Sequence, residues 1–503
     1  MKSRTLVFFA VILPWALASS LQAQSDPPQV RIEWDKVIRE SKTTATFQIV
    51  MNPLLRQGSR LHDSTFRAIK ELGCDRARFA TWYPYPRLAV AELEPPRDGK
   101  TSWDFSEIDP VVTDFLDATK GHGRVLSLNT TPQWMFETPR PVPYPHDPNQ
   151  PVFTYLQGTT LRDPSMQEVS TYYKNLASWF ALGGFTDQFG RRYNSAHRDK
   201  IDYWEVLNEP DNEHQFTPEN YTAFYDAVVG ALKPVLPGTR FVGVSLANTM
   251  VRPDYFEYFL NPKNHKPGIP LDAVSYHFYA IPGEDETLNE WQFTLFREAE
   301  RFLTAVRYIQ SIRQRLSPST ETHINEIGSV LPEDMIQMSK LDYRGPAIPE
   351  SYWPLSSALF AYLFSELSKL GVEVAGMSHM LGYPGFFPNC TMLDWNTGEP
   401  NVRYWTLKLL RGNFGPGDKM VETSVTVPNV YGQAWLGKDG KRRLLLVNQR
   451  VKDAEVTLPA AKGLRVETVG RSSGSKAPVA QTLEGNKLNL EGFAVSVVTF
   501  PQP

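Results

Sequence analysis

Cysteine is nearly absent from this chain. Two are present in 503 residues, Cys74 and Cys390. So few cannot form a disulfide scaffold, and a large apolar core has to hold the fold instead. The pair is expected to stay unbridged, with Cys74 leading into an early strand and Cys390 in a late loop at the opposite end of the fold. Histidine is scarce as well: nine are scattered along the chain, and the first strand region, TFQIVMN, holds no H-x-H pair. That argues against a zinc-dependent hydrolase, and no metal or cofactor is expected. Basic excess is missing. A net charge of -3 argues against nucleic acid or an anionic membrane surface as a partner. The first strand is followed by IVMNPLLRQGS rather than a glycine-rich G-x-G-x-x-G turn, so a dinucleotide-binding open sheet is disfavoured.

Long apolar runs are also lacking. The one candidate, Leu6 to Leu17, follows Lys2 and Arg4 and precedes small residues and Leu21-Gln22-Ala23. It is too short for a retained membrane helix and reads as a secretory signal peptide, residues 1–23, cleaved after Ala23. The mature protein is therefore expected to be exported, periplasmic or secreted, with no membrane association. The residue directly after the expected cleavage site is Gln24 rather than a cysteine, so a lipid-anchored form is not expected.

What is present is organised by period. Short apolar runs at Thr46–Val50, Arg76–Phe79, Val125–Leu128, Tyr203–Leu207, Phe241–Ser245, Ala273–Phe278, Thr322–Asn325 and Val374–Met377 alternate with amphipathic stretches such as Ser64–Leu72, Glu168–Leu182 and Glu298–Leu316. Eight strands alternating with helices predict a (β/α)8 TIM barrel over residues 46–415. Beyond it, over residues 416–503, short strands such as Arg443–Val447 and Ala494–Phe500 are separated by polar turns, which predicts a C-terminal β-sandwich. Residues 24–45 hold one strand, Val30–Trp34, that is expected to join that sandwich. The 12 Trp and 21 Tyr suit either sugar-stacking platforms or a large aromatic core.

The active groups of such a barrel sit at the C-terminal ends of its strands. Reading those ends collects Arg78, then Asn129 and Trp134, then Asn208 and Glu209 in the stretch YWEVLNEPD, His277 and Tyr279, Glu326, and Ser378 with His379. A lone glutamate after a strand is ordinarily a cap or a surface group. Two of them, on strands four and seven, form the carboxylate pair that glycoside hydrolysis requires, one protonated to assist the leaving oxygen and one ionised to attack. Arg78 would sit beside Glu326 and hold it ionised, and Tyr279 would donate its hydroxyl to it. Trp82, Tyr83, Tyr85, Trp134 and Tyr383 would shape the sugar subsites.

Asn208-Glu209-Pro210 together with Glu326 resembles clan A of the glycoside hydrolases. Within it the chain looks most like family 39, the β-xylosidase and α-L-iduronidase family, through LGCDRARF (72–79), TSWDFSEID (101–109), LSLNTTPQWM (126–135), WEVLNEPD (204–211) and SYHFY (275–279). The resemblance implies that Glu209 is the general acid/base, Glu326 the nucleophile, and Asn208 the partner of a sugar 2-hydroxyl. It implies an exported retaining glycosidase acting on an oligosaccharide or glycoside, with no cofactor. At strand eight the clan usually offers a tryptophan floor, whereas this chain has GMSHMLGYPGFF, where His379, Tyr383 or Trp395 would have to substitute. A non-catalytic carbohydrate-binding protein on the same scaffold is the competing reading. Retention of both carboxylates argues against it, since a binding module has no use for a paired acid and nucleophile. Sugar, linkage and oligomeric state are not legible.

Overall fold

Eight strands, buried over nearly their whole length, close into a parallel barrel in a computed structural model that describes residues 29–140, 144–152, 157–332, 348–382, 388–459 and 463–501. Residues 1–23, read above as a signal peptide, and Tyr383 lie outside the described residues. The strands are β1 (Thr44–Val50), β2 (Ala77–Ala80), β3 (Arg124–Ser127), β4 (Tyr203–Glu205), β5 (Arg240–Leu246), β6 (Ala273–Ala280), β7 (Glu321–Ser329) and β8 (Val374–Met377). Each pairs with its sequence neighbours and β8 pairs with β1, so the sheet has no free edge. All eight predicted strands are present, Val374–Met377 with the predicted bounds and the other seven shifted at one or both ends by one to four residues.

The expected C-terminal β-structure is also present, in a particular arrangement. A seven-stranded antiparallel sheet has Val30–Glu40 at one edge, paired with Lys419–Val425. Alternation then decides where each face goes. On Arg442–Asn448, Leu444 and Leu446 turn to a small core closed by the two-stranded sheet of Ala454–Thr457 and Lys487–Leu490. Leu445 and Val447 turn the other way, into the same core as the barrel. The helix Tyr352–Leu370 lies between barrel and sheet, which is why it is apolar on nearly every side rather than amphipathic. Tyr431 of the sheet donates its hydroxyl to Ser365 of that helix at 2.8 Å.

Inside the barrel, the floor is an ion cluster. Glu321, the first residue of β7, meets Arg240 at 2.6 Å, Arg76 at 3.2 Å, His323 at 3.0 Å and the Tyr203 hydroxyl at 3.2 Å. Burial pushes its carboxyl up, but the His323, Arg240 and Arg76 partners outweigh that and hold it down at about 2. Glu321→Gln should therefore destabilise the protein by roughly 3 kcal/mol at pH 7, as expected for breaking a largely buried pair. A carboxyl depressed in the folded state stabilises above its unfolded value, near 4.5, and loses that contribution as the pH falls towards 2. Urea titrations of both proteins should show the gap closing across that window. A gap unchanged between pH 7 and pH 3 would count against the assignment.

Candidate active site

The rim above that floor is shaped by local backbone departures that no glycine announces. β4 ends at Glu205, two residues before its apolar run does, because Leu207 and Glu209 take left-handed backbone at φ 62° and 43°. Such residues cost on the order of 1–2 kcal/mol each and persist only where surrounding structure holds them. Here the Glu209 N–H donates to the Ser245 carbonyl at 2.9 Å, tying the turn to β5. Pro210 then opens the short helix Pro210–Glu213, at a position where its missing N–H costs nothing.

On β6 the alternation is plain: Ser275, His277 and Tyr279 face the barrel interior, while Tyr276 and Phe278 pack outwards among aromatic rings such as Phe302. On β7 the register slips between Ile324 and Glu326. That bulge lets two consecutive side chains face inwards, Asn325 donating to Glu205 at 2.6 Å and Glu326 accepting from Arg78. Gly328 makes room for the Tyr279 ring, since a Cβ there would lie 2.9 Å from Tyr279 Cε1.

Arg78 is the hub. Its five N–H donors meet five acceptors: Glu205 at 2.5 Å, Gln48 at 2.6 Å, Glu326 at 2.7 Å, Asn208 at 2.7 Å and Ser245 at 3.3 Å. Tyr279 donates its hydroxyl to the other oxygen of Glu326 at 2.6 Å. Burial pushes the Glu326 carboxyl up, but His277, Arg78 and His379, with the Tyr279 hydrogen bond, overcome it and hold the group down at about 2. Glu326 is thus a buried carboxylate kept ionised by what surrounds it.

His277 joins the two halves. Its Nδ1 lies 2.8 Å from Glu209 Oε1, and its Nε2 lies 3.0 Å from Ser245 Oγ and 3.5 Å from Glu326 Oε1. Burial pushes its pKa down, but the two carboxylates more than reverse that, so the ring is driven towards the doubly protonated form that donates both ways. One oxygen of Glu209 and one of Glu326 lie within 4.8 Å of each other and of an imidazole nitrogen. Three such ligand atoms are a conceivable cation site. The Arg78 guanidinium 2.7 Å from Glu326 opposes a cation there, and the imidazole bridge accounts for the approach of the two acids.

A cleft of about 440 Å³ opens over these groups, within the range of small-molecule sites. Of the residues singled out from sequence, Trp82, Tyr83, Asn208, Glu209, His277, Tyr279, Glu326 and His379 line it, and Arg78 lies directly beneath. Others are elsewhere. Asn129 turns its amide back onto the Ser127 carbonyl and hydroxyl, both at 3.1 Å, and ties the loops after β2 and β3 together. Trp134 donates its indole N–H to the Glu92 carbonyl at 2.8 Å and lies under the Arg162 guanidinium. Tyr85 is wholly buried in the core, and Trp395 packs against the core away from the cleft. Both cysteines are buried, and neither forms a disulfide among the described residues. Cys74 precedes β2 at the floor, and Cys390 donates to the Ser329 carbonyl near the rim.

Three participants escaped the sequence reading. Gln48 and Glu205 are interior polar groups inside apolar strands, and that interruption was the available signal. Glu213 follows Glu209 by one helical turn and also lines the cleft. Its spacing from Glu209 was visible, its place in the cleft was not.

No protein-family model matches this chain, and no curated protein does either. Solved structures do. A family 51 arabinofuranosidase from Xanthomonas axonopodis pv. citri aligns over 94% of this chain and 99% of its own, with 12% identity and a TM-score of 0.64. A family 30 endoxylanase from Clostridium papyrosolvens C71 aligns over 94% and 99%, at 13% identity and a TM-score of 0.58. A monomeric beta-xylosidase from Caulobacter crescentus CB15 does so over 94% and 99%, at 14% and 0.57. At such identities the likeness is one of fold. It extends over barrel and β-sheet region together, in keeping with the barrel and C-terminal β-structure expected from the sequence.

Proposed function

We propose that this chain is an exported retaining O-glycoside hydrolase of the family 39 type, acting on neutral pentosides in the manner of a β-xylosidase. The observation that carries the reading is the approach of the Glu209 and Glu326 oxygens to within 4.8 Å across the cleft. That spacing suits direct attack, whereas an inverting pair stands about 6.5–9.5 Å apart to admit water. In the first step Glu326 attacks the anomeric carbon as the bond to the leaving oxygen breaks, and Glu209 passes its proton to that oxygen. In the second, Glu209 takes a proton from water as water attacks the same carbon, and the bond to Glu326 breaks. His277 holds one Glu209 oxygen, and the other, which accepts a long hydrogen bond from Asn212 at 3.4 Å, is the one to serve the leaving group.

Among the described residues lining the cleft there is no Lys or Arg to receive a uronate carboxylate, which favours a neutral sugar. An arabinofuranosidase and a beta-xylosidase among the structural neighbours add support for a pentose. Export rests on the charged, apolar and small-residue pattern of residues 1–23. The test is a set of aryl pentosides and hexosides given to the mature chain, with early products followed by proton NMR. A pentoside should be cleaved fastest, and the first sugar released should keep the anomeric configuration of the substrate. An inverted first product would overturn the mechanism. A chain that binds sugars but cleaves none would favour the binding-protein reading.

A further inference from the structure

Eleven large apolar side chains are exposed among the described residues, and three of them line the cleft. They are Met250 (40% exposed), Val251 (72%) and Ile281 (39%). Single exposed apolar residues need no explanation, but several gathered along a cleft mark a ligand surface. Met250 and Val251 sit on the loop after β5, and Ile281 directly follows β6, the strand paired with β5. The three therefore share one side of the mouth.

This aliphatic wall is fixed to the acid. Asp211, in the helix that begins directly after Glu209, accepts the backbone N–H of Ala247 at 3.1 Å and of Asn248 at 2.9 Å. The Asn248 side-chain amide donates to it as well, at 3.0 Å. Towards β6, the Thr249 hydroxyl donates to the His277 carbonyl at 3.3 Å. The tip closes on itself, the Val251 and Arg252 N–H groups both donating to the Asn248 carbonyl at 3.1 Å. So tied, the loop presents Met250 and Val251 ready-made, on the side from which Glu209 reaches the leaving oxygen. Its polar neighbours are engaged elsewhere. Asn212 and Asn248 each give an N–H to a carboxylate, Glu209 and Asp211 respectively. Arg252 pairs with Asp254 at 2.8 Å and lies over the Tyr255 ring.

We propose, on the footing of the glycosidase reading above, that Met250, Val251 and Ile281 form a leaving-group subsite for an apolar aglycone, an alkyl or aryl group, in preference to a second sugar. The hydroxyls of a sugar laid on an aliphatic wall would give up water and gain no partner. An alkyl or aryl group has no such loss, and gains in proportion to the area that it and the wall hide from water. The contact acts on the leaving group, apart from the sugar ring that Glu326 attacks, and so holds the departing oxygen beside Glu209.

A series of n-alkyl β-xylosides tests this, or the same series on whichever pentose the aryl glycosides select. Their leaving alcohols differ in length and scarcely in acidity. With each methylene half hidden from water, kcat/KM should rise about twofold per added carbon, and about 30-fold from methyl to hexyl. The hexyl glycoside should also surpass the disaccharide of the same sugar, although a sugar hydroxyl is the more acidic leaving group. Val251→Ser combined with Ile281→Ser should cut the hexyl-to-methyl ratio by about tenfold. Both side chains are exposed, so the melting temperature should stay near that of wild type. A series indifferent to length, a disaccharide preferred to the hexyl glycoside, or a ratio untouched by the double variant would overturn the inference and leave the glycosidase reading standing. If no glycoside is cleaved, that reading falls, and calorimetry of the same series decides the subsite. Affinity that rises with chain length and drops in the double variant supports the apolar wall. Affinity independent of length overturns it.

Discussion

Glu326→Gln should lower turnover of an aryl glycoside by a factor on the order of 10⁴ or more, about 5.5 kcal/mol of transition-state stabilisation. The glutamine fills the same volume, and its oxygen can still accept from Arg78 or from Tyr279. What it lacks is the second electron-rich oxygen to attack the anomeric carbon, so no covalent intermediate can form. Folding should survive the change. Arg78 keeps Glu205, Gln48, Asn208 and Ser245, so no bare buried charge is left behind. A melting temperature within a few degrees of wild type is the control. A 2-fluoro glycoside with a good leaving group should add one sugar mass to the wild-type peptide that contains Glu326 and nothing to the variant. A label on any other peptide would sink the assignment. Because the wild-type carboxyl is held at about 2, the nucleophile should stay ionised throughout the pH range above about 4. An acid limb of activity lying above that range has to come from another group.

Glu209→Ala should divide substrates by their leaving groups. Glycosides with poor leaving groups need the proton that Glu209 supplies and should lose about 10²–10⁴-fold in kcat/KM. Activated aryl glycosides depart unassisted, so their kcat/KM should change little. Their turnover should still drop, because the covalent intermediate now waits for a water that no base activates, and KM should fall with it as that intermediate accumulates. Azide needs no base to attack. It should restore turnover on activated substrates and release a glycosyl azide of retained configuration. Equal losses on both substrate classes, with no response to azide, would remove Glu209 from the acid/base role. In the alanine variant His277 keeps Ser245 and Glu326, so the nucleophile's surroundings persist and the comparison stays clean.

The two readings of this chain, linear and folded, differ in kind. Periods of two and of 3.6 residues are properties of the sequence. Alternating apolar runs and amphipathic stretches were therefore enough to predict an eight-stranded barrel followed by β-structure. Strand-end position is also linear, so Asn208, Glu209, Glu326, His277 and Tyr279 could be collected before their distances were known. The limit shows at Asn129 and Trp134, which were read by the same logic. A residue just past a strand can turn its side chain inwards or back, and Asn129 turns back to Ser127 because a nearby carbonyl and hydroxyl satisfy its amide.

Distances and charge states were decided by the tertiary structure alone. The left-handed backbone at Leu207 and Glu209, which aims the acid across the cleft, rests on a hydrogen bond from β5. The slip at Asn325, which turns Glu326 inwards, rests on pairing with β6. Arg78 draws its five partners from β1, β4, the turn after β4, β5 and β7, so its saturation cannot be read from any one stretch. Glu205 and Gln48 went unnoticed for the same reason: a polar residue in an apolar run gains meaning only from what closes over it. Local sequence determined which elements form and which side chains reach the rim, because backbone geometry repeats locally. Only the closed barrel decided which carboxyl is charged, because that depends on burial and on charges brought together from strands far apart in the chain.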